Sequence, residues 1–331
     1  MRKGLVLFLV VNLLFVGFLV RSVFTLLMLL VEDCSHDAIH RAEIPAPNSP
    51  LIDNRPQLIP KIIHQTYVNT SLPPHWAEAQ QTCVKLHHDY EYKLWTDKGS
   101  RDFIAKEYPW FLDTFDNYAH PIQRADAIRY FVLAHFGGVY IDLDDGCNRR
   151  LDPLLSYPAW VRRTVPTGIS NDAMGAVPQH PFFLKVIDSL QNYDHNWHLP
   201  YITVMYSTGP LFLSVVWKEY IQKNPSEQDR VRVLMPDEYN RHAWSFFSLR
   251  RGNSWHGRDA QFIFWMGRHW LLITGLGFVL AGMIGLTSWW VYGRVLLLGS
   301  PKGQLKYPSM PRLWRRPSQK DRYELVGRHE V

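Results

Sequence analysis

The hydrophobic pattern is strongest at the two ends of the chain. Residues 5–31 are almost entirely apolar, with Asn12 and Arg21 as the clear exceptions. A helix of that length measures roughly 40 Å at 1.5 Å per residue, which is enough to span a bilayer with some tilt. The stretch runs on to Glu32 without the small-residue exit that marks a cleavage site. It therefore predicts an uncleaved N-terminal signal anchor over residues 1–31.

A second apolar stretch lies near the C-terminus. Trp270–Val291 contains no formal charge and is flanked by Arg268 and Arg294. Tryptophans stand near its ends, as interfacial aromatic residues do in membrane helices. The pattern predicts a transmembrane helix over residues 267–293, with a buried helix of a soluble domain as the alternative.

Between these stretches the pattern alternates between strand-like and helix-like periods. Residues 32–58 are rich in proline and polar residues, which is typical of a stalk. Residues 59–266 follow as an α/β domain, for which the alternation predicts a mainly parallel sheet. The predicted strands are Lys61–Tyr67, Tyr90–Trp95 and Gly138–Leu143, and the predicted helices are Arg101–Tyr108, Pro121–His135 and Phe182–Gln191.

The charge distribution predicts the topology. The chain carries 36 Lys and Arg against 30 Asp and Glu, a net charge of +6. The basic excess lies at the two ends, including the tail 294–331, and residues 32–268 are slightly acidic, which argues against a nucleic-acid partner. Because basic segments favour the cytosolic side, both termini are expected in the cytosol and the central domain across the membrane.

The cysteines are too few for a disulfide scaffold. Cys34, Cys83 and Cys147 are the three present, so pairing of any two leaves one thiol. Cys83 with Cys147 is one combination, and the sequence alone does not decide between the combinations.

Three carboxylates crowd the end of the third predicted strand, at Asp142, Asp144 and Asp145. In an extended chain Asp142 and Asp144 point to the same face. Repulsion between such close charges is usually compensated by a hard divalent cation, which also leaves coordination positions for phosphate. Ligands of open α/β sheets bind at the carboxyl ends of strands. The loop therefore predicts a metal that bridges the protein to a diphosphate, and a solvated acidic turn is the alternative.

The segment around this loop resembles a known motif. Arg124-x-Asp126-x-x-Arg129-Tyr130, followed by Gly137-Gly138-x-Tyr140-x-Asp142-x-Asp144, is similar to the DXD motif region of glycosyltransferases related to fungal α-mannosyltransferases and large clostridial glucosylating toxins, glycosyltransferase family 32. The resemblance spans roughly residues 59–259 and implies a GT-A-like, Rossmann-type α/β domain. Further matching segments are Ile59–Tyr67, Tyr92–Asp97, Gly175–Phe183, Ser207–Pro210 and Ser254–His256.

The second membrane span narrows the resemblance to one branch of that family. Protein-directed relatives in the early Golgi have only the N-terminal anchor, whereas the fungal inositol phosphorylceramide mannosyltransferases also have a span after the catalytic domain. The resemblance implies a Golgi membrane enzyme that transfers mannose from GDP-mannose to inositol phosphorylceramide with retention of configuration. It also implies Mn²⁺, with Mg²⁺ as the alternative, and a multispanning regulatory membrane subunit as partner.

The resemblance also implies roles for individual residues. Asp142, Asp144 and His256 are expected to hold the metal. The donor is expected to contact Tyr67, Trp95, Asp126, Arg129, Tyr140 and Asp142. The catalytic set is Asp126, Arg129, Asp142, Asp144, Asn171 and Asp172. Arg250 and Arg251 are candidates for a different reason: they lie close to His256 in the sequence and could bind an acceptor phosphate, with a phosphate of the donor as the alternative.

Each of these expectations has a plainer alternative. Asp126 and Arg129 also fit an exposed ion pair within one helix, and Asn171 and Asp172 also fit a turn or helix cap. His256 also fits an ordinary surface histidine, and Arg250 with Arg251 a solvated loop. For the whole protein, the alternatives are a transferase that acts on glycoprotein glycans or uses another sugar nucleotide, and a non-catalytic scaffold that binds a sugar nucleotide.

Overall fold

A computed structural model describes residues 2–32, 34–46, 55–164, 167–249 and 257–298. The α-helices are α1 (Arg2–Leu30), α2 (Pro74–Leu86), α3 (Asp97–Glu107), α4 (Leu112–Asn117), α5 (Pro121–Phe136), α6 (Pro181–Ser189), α7 (Pro200–Ser207), α8 (Pro210–Ile221), α9 (Pro236–Tyr239), α10 (Arg258–Arg268) and α11 (Trp270–Leu298). The strands are β1 (Ala38–Ile39), β2 (Ile62–Tyr67), β3 (Glu91–Thr96), β4 (Gly138–Ile141), β5 (Asp145–Cys147), β6 (Ala159–Arg163), β7 (Ile169–Ala176), β8 (Val231–Leu234) and β9 (Phe247–Leu249).

Seven strands form one mixed sheet in the order β1-β8-β6-β7-β4-β2-β3, and β5 pairs with β9 in a small antiparallel sheet. The prediction of a mainly parallel sheet is confirmed for four of the six pairings. Strand β7 departs from it, because it runs antiparallel to both β4 and β6. All six elements predicted from the periodicity are present, with bounds that differ by at most four residues.

The sheet separates two hydrophobic clusters. Successive side chains of a strand point to opposite faces, so Tyr140 packs in one cluster while Val139 and Ile141 pack in the other. Helix α5 lies against the first cluster and is buried along most of its length, from Asp126 to Ala134. A helix buried in this way holds any polar side chain it carries in a fixed position.

A two-glycine turn carries the chain from α5 into β4. Gly137 and Gly138 have φ angles of 64° and 93°, in the region that favours glycine. A Cβ atom on Gly138 would lie 2.7 Å from the carbonyl oxygen of Ile62, and one on Gly137 would lie 2.6 Å from Cδ of Pro178. The turn thus brings β4 close to β2. Directly after this buried strand comes the segment with Asp142, Asp144 and Asp145, called the acidic loop below.

One disulfide joins Cys83 in α2 to Cys147 in β5. It confirms the pairing that the sequence left open. The bond ties the short strand that follows the acidic loop to a helix on the same side of the sheet.

Part of the segment expected to be a stalk belongs to the sheet. Strand β1 lies at its edge, where Ala38 pairs with Val233 of β8, and Ile39 is buried. Ion pairs hold the segment further: Lys218 with Glu32, Arg230 with Asp37, and Arg232 with Glu43. Leu29, at the end of α1, is buried in the first cluster. The last turn of α1 is therefore packed against the domain.

The chain divides into two compact units, residues 1–263 and 264–331, and each is described by itself. In the second unit, α11 contains a candidate membrane span at Trp270–Val291 with a mean hydropathy of 1.9. Among the described residues this is the one helix that meets the length and hydropathy required to cross a membrane.

Candidate active site

A cavity of about 490 Å³ opens where β2, β3 and β4 reach their carboxyl ends. Its lining divides into two parts: an aromatic end with Tyr67, Trp76 and Trp95, and an acidic end that α5, the loop after β4, and β7 supply. The candidate residues found along its lining are Tyr67, Trp95, Asp126, Arg129, Asp142, Asp144, Asn171 and Asp172.

Arg129 is the centre of the acidic end. Its Nη2 lies 3.0 Å from Asp126 one helical turn earlier, and its Nη1 lies 3.1 Å from Asp142 after β4. Nη1 also donates to the carbonyl oxygen of Asn171 at 2.8 Å. The pair with Asp126 is an intrahelical ion pair, but it is buried, with 5% of Asp126 and 3% of Arg129 exposed. The alternative of an exposed ion pair is therefore excluded.

Asp126 accepts two further hydrogen bonds from residues far along the chain. Asn171 Nδ2 donates to Oδ1 at 3.0 Å, and Thr208 Oγ1 donates to Oδ2 at 3.1 Å. Burial raises the pKa of Asp126 to about 6, and the guanidinium of Arg129 opposes that shift. Asn171 lies within β7 rather than in a turn, so its amide is held rigidly against the carboxylate. Thr208 lies in a segment that resembles the family, but no role was predicted for it.

Asp142 is held on both of its oxygens. Tyr140 donates its hydroxyl to Oδ1 at 2.7 Å, and Arg129 reaches Oδ2 at 3.2 Å. The Tyr140 hydroxyl also lies 2.9 Å from Oγ1 of Thr66 at the end of β2, and the guanidinium of Arg129 stacks 4.6 Å from the Tyr140 ring. Tyr140 is fully buried, so it acts through Asp142 and does not itself line the cavity.

Asp144 differs from its neighbours because it forms no ion pair with any residue that the structure describes. Burial, together with the charges of Asp142 and Asp172, raises its pKa to about 7. A half-buried carboxylate among like charges is a favourable ligand for a divalent cation. The described residues provide no cluster of three or more His, Cys, Asp or Glu around one point. Asp144, with Asp142 beside it, fits a metal that completes its coordination with a bound ligand.

Arg162 forms a second bridge that the sequence did not reveal. Its guanidinium pairs with Asp145 and lies 3.3 Å from Asp172. Asp145 is fully buried, so the acidic loop is not the solvated turn considered as the alternative. The backbone carbonyl oxygen of Asp172 in turn accepts a hydrogen bond from the backbone N–H of Asp142 at 2.7 Å. Two arginines thus each join two aspartates, and one aspartate of each pair, Asp142 and Asp172, acts on Asp144 through its charge.

At the aromatic end, Trp95 is fixed by a buried histidine. The indole Nε1 of Trp95 donates to Nδ1 of His64 at 3.1 Å, and His64 Nε2 lies 2.9 Å from the carbonyl oxygen of Gly137. These two contacts require a neutral imidazole with its proton on Nε2. Burial lowers the pKa of His64 to about 4, which agrees with that state. Tyr67 packs edge-on against Trp76, with 5.5 Å between ring centroids.

Three predicted residues lie outside the described part of the chain: Arg250, Arg251 and His256. Strand β9 ends at Leu249, where it pairs with Asp145 of β5.

The chain is similar to several known proteins. The family described as "glycosyltransferase sugar-binding region containing DXD motif" matches residues 73–160, which include Asp126, Arg129, Asp142 and Asp144. The solved glycosyltransferase domain of the YGT toxin, bound to UDP, superposes with a TM-score of 0.42 and 8% identity, over 59% of this chain and 84% of that chain.

Two curated yeast proteins are much more similar. The mannosyl phosphorylinositol ceramide synthase CSH1 of Saccharomyces cerevisiae is 52% identical over 283 residues, which cover 84% of this chain and 75% of the relative. SUR1 of the same organism, another mannosyl phosphorylinositol ceramide synthase, is 52% identical over 279 residues, or 84% of this chain and 72% of the relative. The chain therefore belongs to the family of the mannosyl phosphorylinositol ceramide synthases and is a glycosyltransferase.

Proposed function

We propose that this chain transfers mannose from GDP-mannose to inositol phosphorylceramide, with a divalent metal and with retention of configuration, in sphingolipid biosynthesis. The observation that carries the proposal is the Arg129 bridge between Asp126 and Asp142, at the end of a cavity that also holds Asp144. The names of the two yeast relatives support the acceptor and the sugar. The domain is proposed to be GT-A-like.

The aspartates at the acidic end would bind the donor. Asp126 and Asp142 offer carboxylate oxygens to hydroxyl groups of the sugar and the ribose. Arg129 is only 3% exposed and would keep both carboxylates ionised and aligned. Asn171 and Asp172, side by side in β7, would line the place where sugar and acceptor meet. Such a site contributes orientation and preorganised charge.

Asp144 would be the principal protein ligand of Mn²⁺, with Mg²⁺ as the alternative, and Asp142 would assist. When bound, the metal would neutralise the departing nucleoside diphosphate. The described residues supply fewer than three such ligands at one point, so the diphosphate itself and His256 are the proposed completion of the coordination shell.

Retention would follow from attack on the face that the diphosphate leaves. Asp126 and Asp142 are held by Arg129, and Asp172 lies beside Arg162, so these carboxylates are occupied in ion pairs. In the proposed scheme the leaving phosphate takes the proton of the acceptor hydroxyl. A trapped covalent glycosyl-enzyme on one of these aspartates would contradict the scheme.

The proposed location is the Golgi membrane, with the catalytic domain in the lumen and both termini in the cytosol. The candidate span in α11 supports a membrane protein. The Cys83–Cys147 disulfide supports an oxidising compartment for the domain. Helix α1 is proposed as the second anchor, and a multispanning regulatory membrane subunit as a partner that docks through the spans.

The test is transfer of labelled sugar by the purified full chain in detergent micelles with Mn²⁺. We expect mannose to pass from GDP-mannose to inositol phosphorylceramide, and no transfer from UDP-sugars. Activity on a glycan acceptor only would assign the chain to the glycoprotein branch. Donor binding without transfer to any acceptor, even with a co-expressed regulatory subunit, would favour the scaffold.

A further inference from the structure

One carboxylate of the cavity lies apart from the others. Four of the five aspartates in the cavity lining belong to the acidic end. Asp97 is the exception, since it begins α3 directly after β3. The five are Asp97, Asp126, Asp142, Asp144 and Asp172.

Asp97 lies beside the aromatic end. Its backbone N–H donates to the carbonyl oxygen of Val68 at 3.3 Å, and Val68 directly follows Tyr67. In the sheet, Tyr67 pairs with Thr96, the residue before Asp97. Asp97 therefore lies next to the carboxyl ends of β2 and β3, where Tyr67 and Trp95 line the cavity.

The Asp97 carboxylate has neither a hydrogen-bond donor nor an ion-pair partner among the described residues. Arg124, which also lines the cavity, acts on Asp97 through its charge and opposes the rise in the pKa of Asp97 that burial causes. Both oxygens are thus available to a ligand that enters the cavity.

The chemistry of nucleobases decides which ligand fits. An aromatic end binds a base by stacking, which is nearly independent of base identity. A carboxylate is acceptor-only, so it favours a base edge with adjacent donors. Guanine presents N1–H and the 2-amino group side by side. Uracil presents one N–H between two carbonyl oxygens, which a carboxylate repels.

We infer that Asp97 determines the donor nucleotide by accepting hydrogen bonds from N1–H and the 2-amino group of a guanine base held at the aromatic end. The inference rests on the proposed function, because it assigns the base of the proposed donor to one end of the same cavity. It adds a specificity-determining residue that does not touch the reacting atoms.

The test is calorimetric titration of the full chain in detergent micelles, with Mn²⁺ present and with GDP, IDP, XDP and UDP as ligands. Inosine lacks the 2-amino group of guanine, and xanthine replaces that group with a carbonyl oxygen. The wild type is expected to bind GDP about 10-fold or more tightly than IDP, since a hydrogen bond to a charged group is lost. It is also expected to bind XDP more weakly than GDP.

Asp97→Asn should invert the order. The asparagine amide donates to the xanthine carbonyl, so XDP should bind more tightly than GDP, while GDP should weaken by about 10- to 100-fold. Gain of XDP binding also shows that the variant is folded. Asp102→Asn, in the same helix on an exposed surface, should keep the wild-type order.

The possible failures are distinguishable. A wild type that binds GDP, with an Asp97→Asn variant that keeps the same ratios of GDP to IDP and to XDP, overturns the role of Asp97 and leaves the proposed function standing. A wild type that prefers UDP, or binds no nucleotide, overturns both the GDP donor and the role of Asp97.

Discussion

The guanidinium of Arg129 in α5 lies 3.1 Å from the carboxylate of Asp142, which directly follows β4 on the other side of a two-glycine turn. The same guanidinium pairs with Asp126. Because Arg129 is buried, its charge is poorly screened by solvent, and each partner depends on it. The positions of two aspartates are thereby coupled to one side chain of α5.

Arg129→Lys should reduce transfer by a factor of about 100 or more, because an ammonium group is a point charge that does not bridge both carboxylates. Steady-state kinetics with varied donor provide the measurement. Arg101→Lys is the matched control, since Arg101 forms a two-point ion pair with Asp116 on the exposed surface. Equal activities of the two variants would show that the bridge has no role in the reaction.

Arg162→Met should destabilise the fold by about 3–5 kcal/mol, because it leaves the fully buried Asp145 without a counter-ion. Chemical unfolding of the purified protein measures this loss. Adding Asp145→Asn to the variant should restore part of the stability, since the uncompensated charge is removed. A loss under about 1 kcal/mol in Arg162→Met would contradict the account, and Arg241→Met, in an exposed pair with Asp237, should change stability little.

Stability should fall as the pH is lowered from about 6.5 to about 4, in part through His64. Its folded pKa is lowered to about 4 by burial, so between these values the unfolded chain binds a proton that the folded chain does not. The resulting loss in the free energy of unfolding reaches about 3 kcal/mol at a pH of about 4 and is absent above a pH of about 7. His180 contributes with the same sign, because burial lowers its pKa to about 4 as well.

Unfolding free energies at several pH values test this prediction. His64→Gln should flatten the pH dependence below 6.5 relative to the wild type, whatever its effect at neutral pH. An unchanged slope in the variant would mean that His64 is not held in the neutral form by its bonds to Trp95 and Gly137.

Periodicity predicted the elements that surround the acidic loop, because α5 and β4 are long or apolar enough to show their period. It left Ser170, Asn171 and Asp172 of β7 outside any strand, because these residues interrupt the apolar pattern where the strand borders the cavity. It also missed β1, since a strand of two residues has no period. The local hydrophobic pattern does not show in which direction a strand runs relative to its neighbours, so the antiparallel pairing of β7 could not be predicted from it.

The motif predicted Asp126, Arg129, Asp142 and Asp144 as one site, and the structure brings all four to one cavity. Arg162, Thr208 and His64 were not predicted as site residues. Their partners Asp145, Asp126 and Trp95 are 17, 82 and 31 positions away. Contacts made across the sheet are set by the fold rather than by spacing along the chain.

The most direct test of the central claim compares wild type, Asp144→Asn and Asp102→Asn for Mn²⁺-dependent transfer of labelled mannose from GDP-mannose to inositol phosphorylceramide. Asp144→Asn removes one charge at the proposed metal ligand and keeps the shape of the side chain. The account predicts a loss of transfer of about 100-fold or more in this variant and wild-type transfer in Asp102→Asn. Transfer by Asp144→Asn at the wild-type rate would contradict the account.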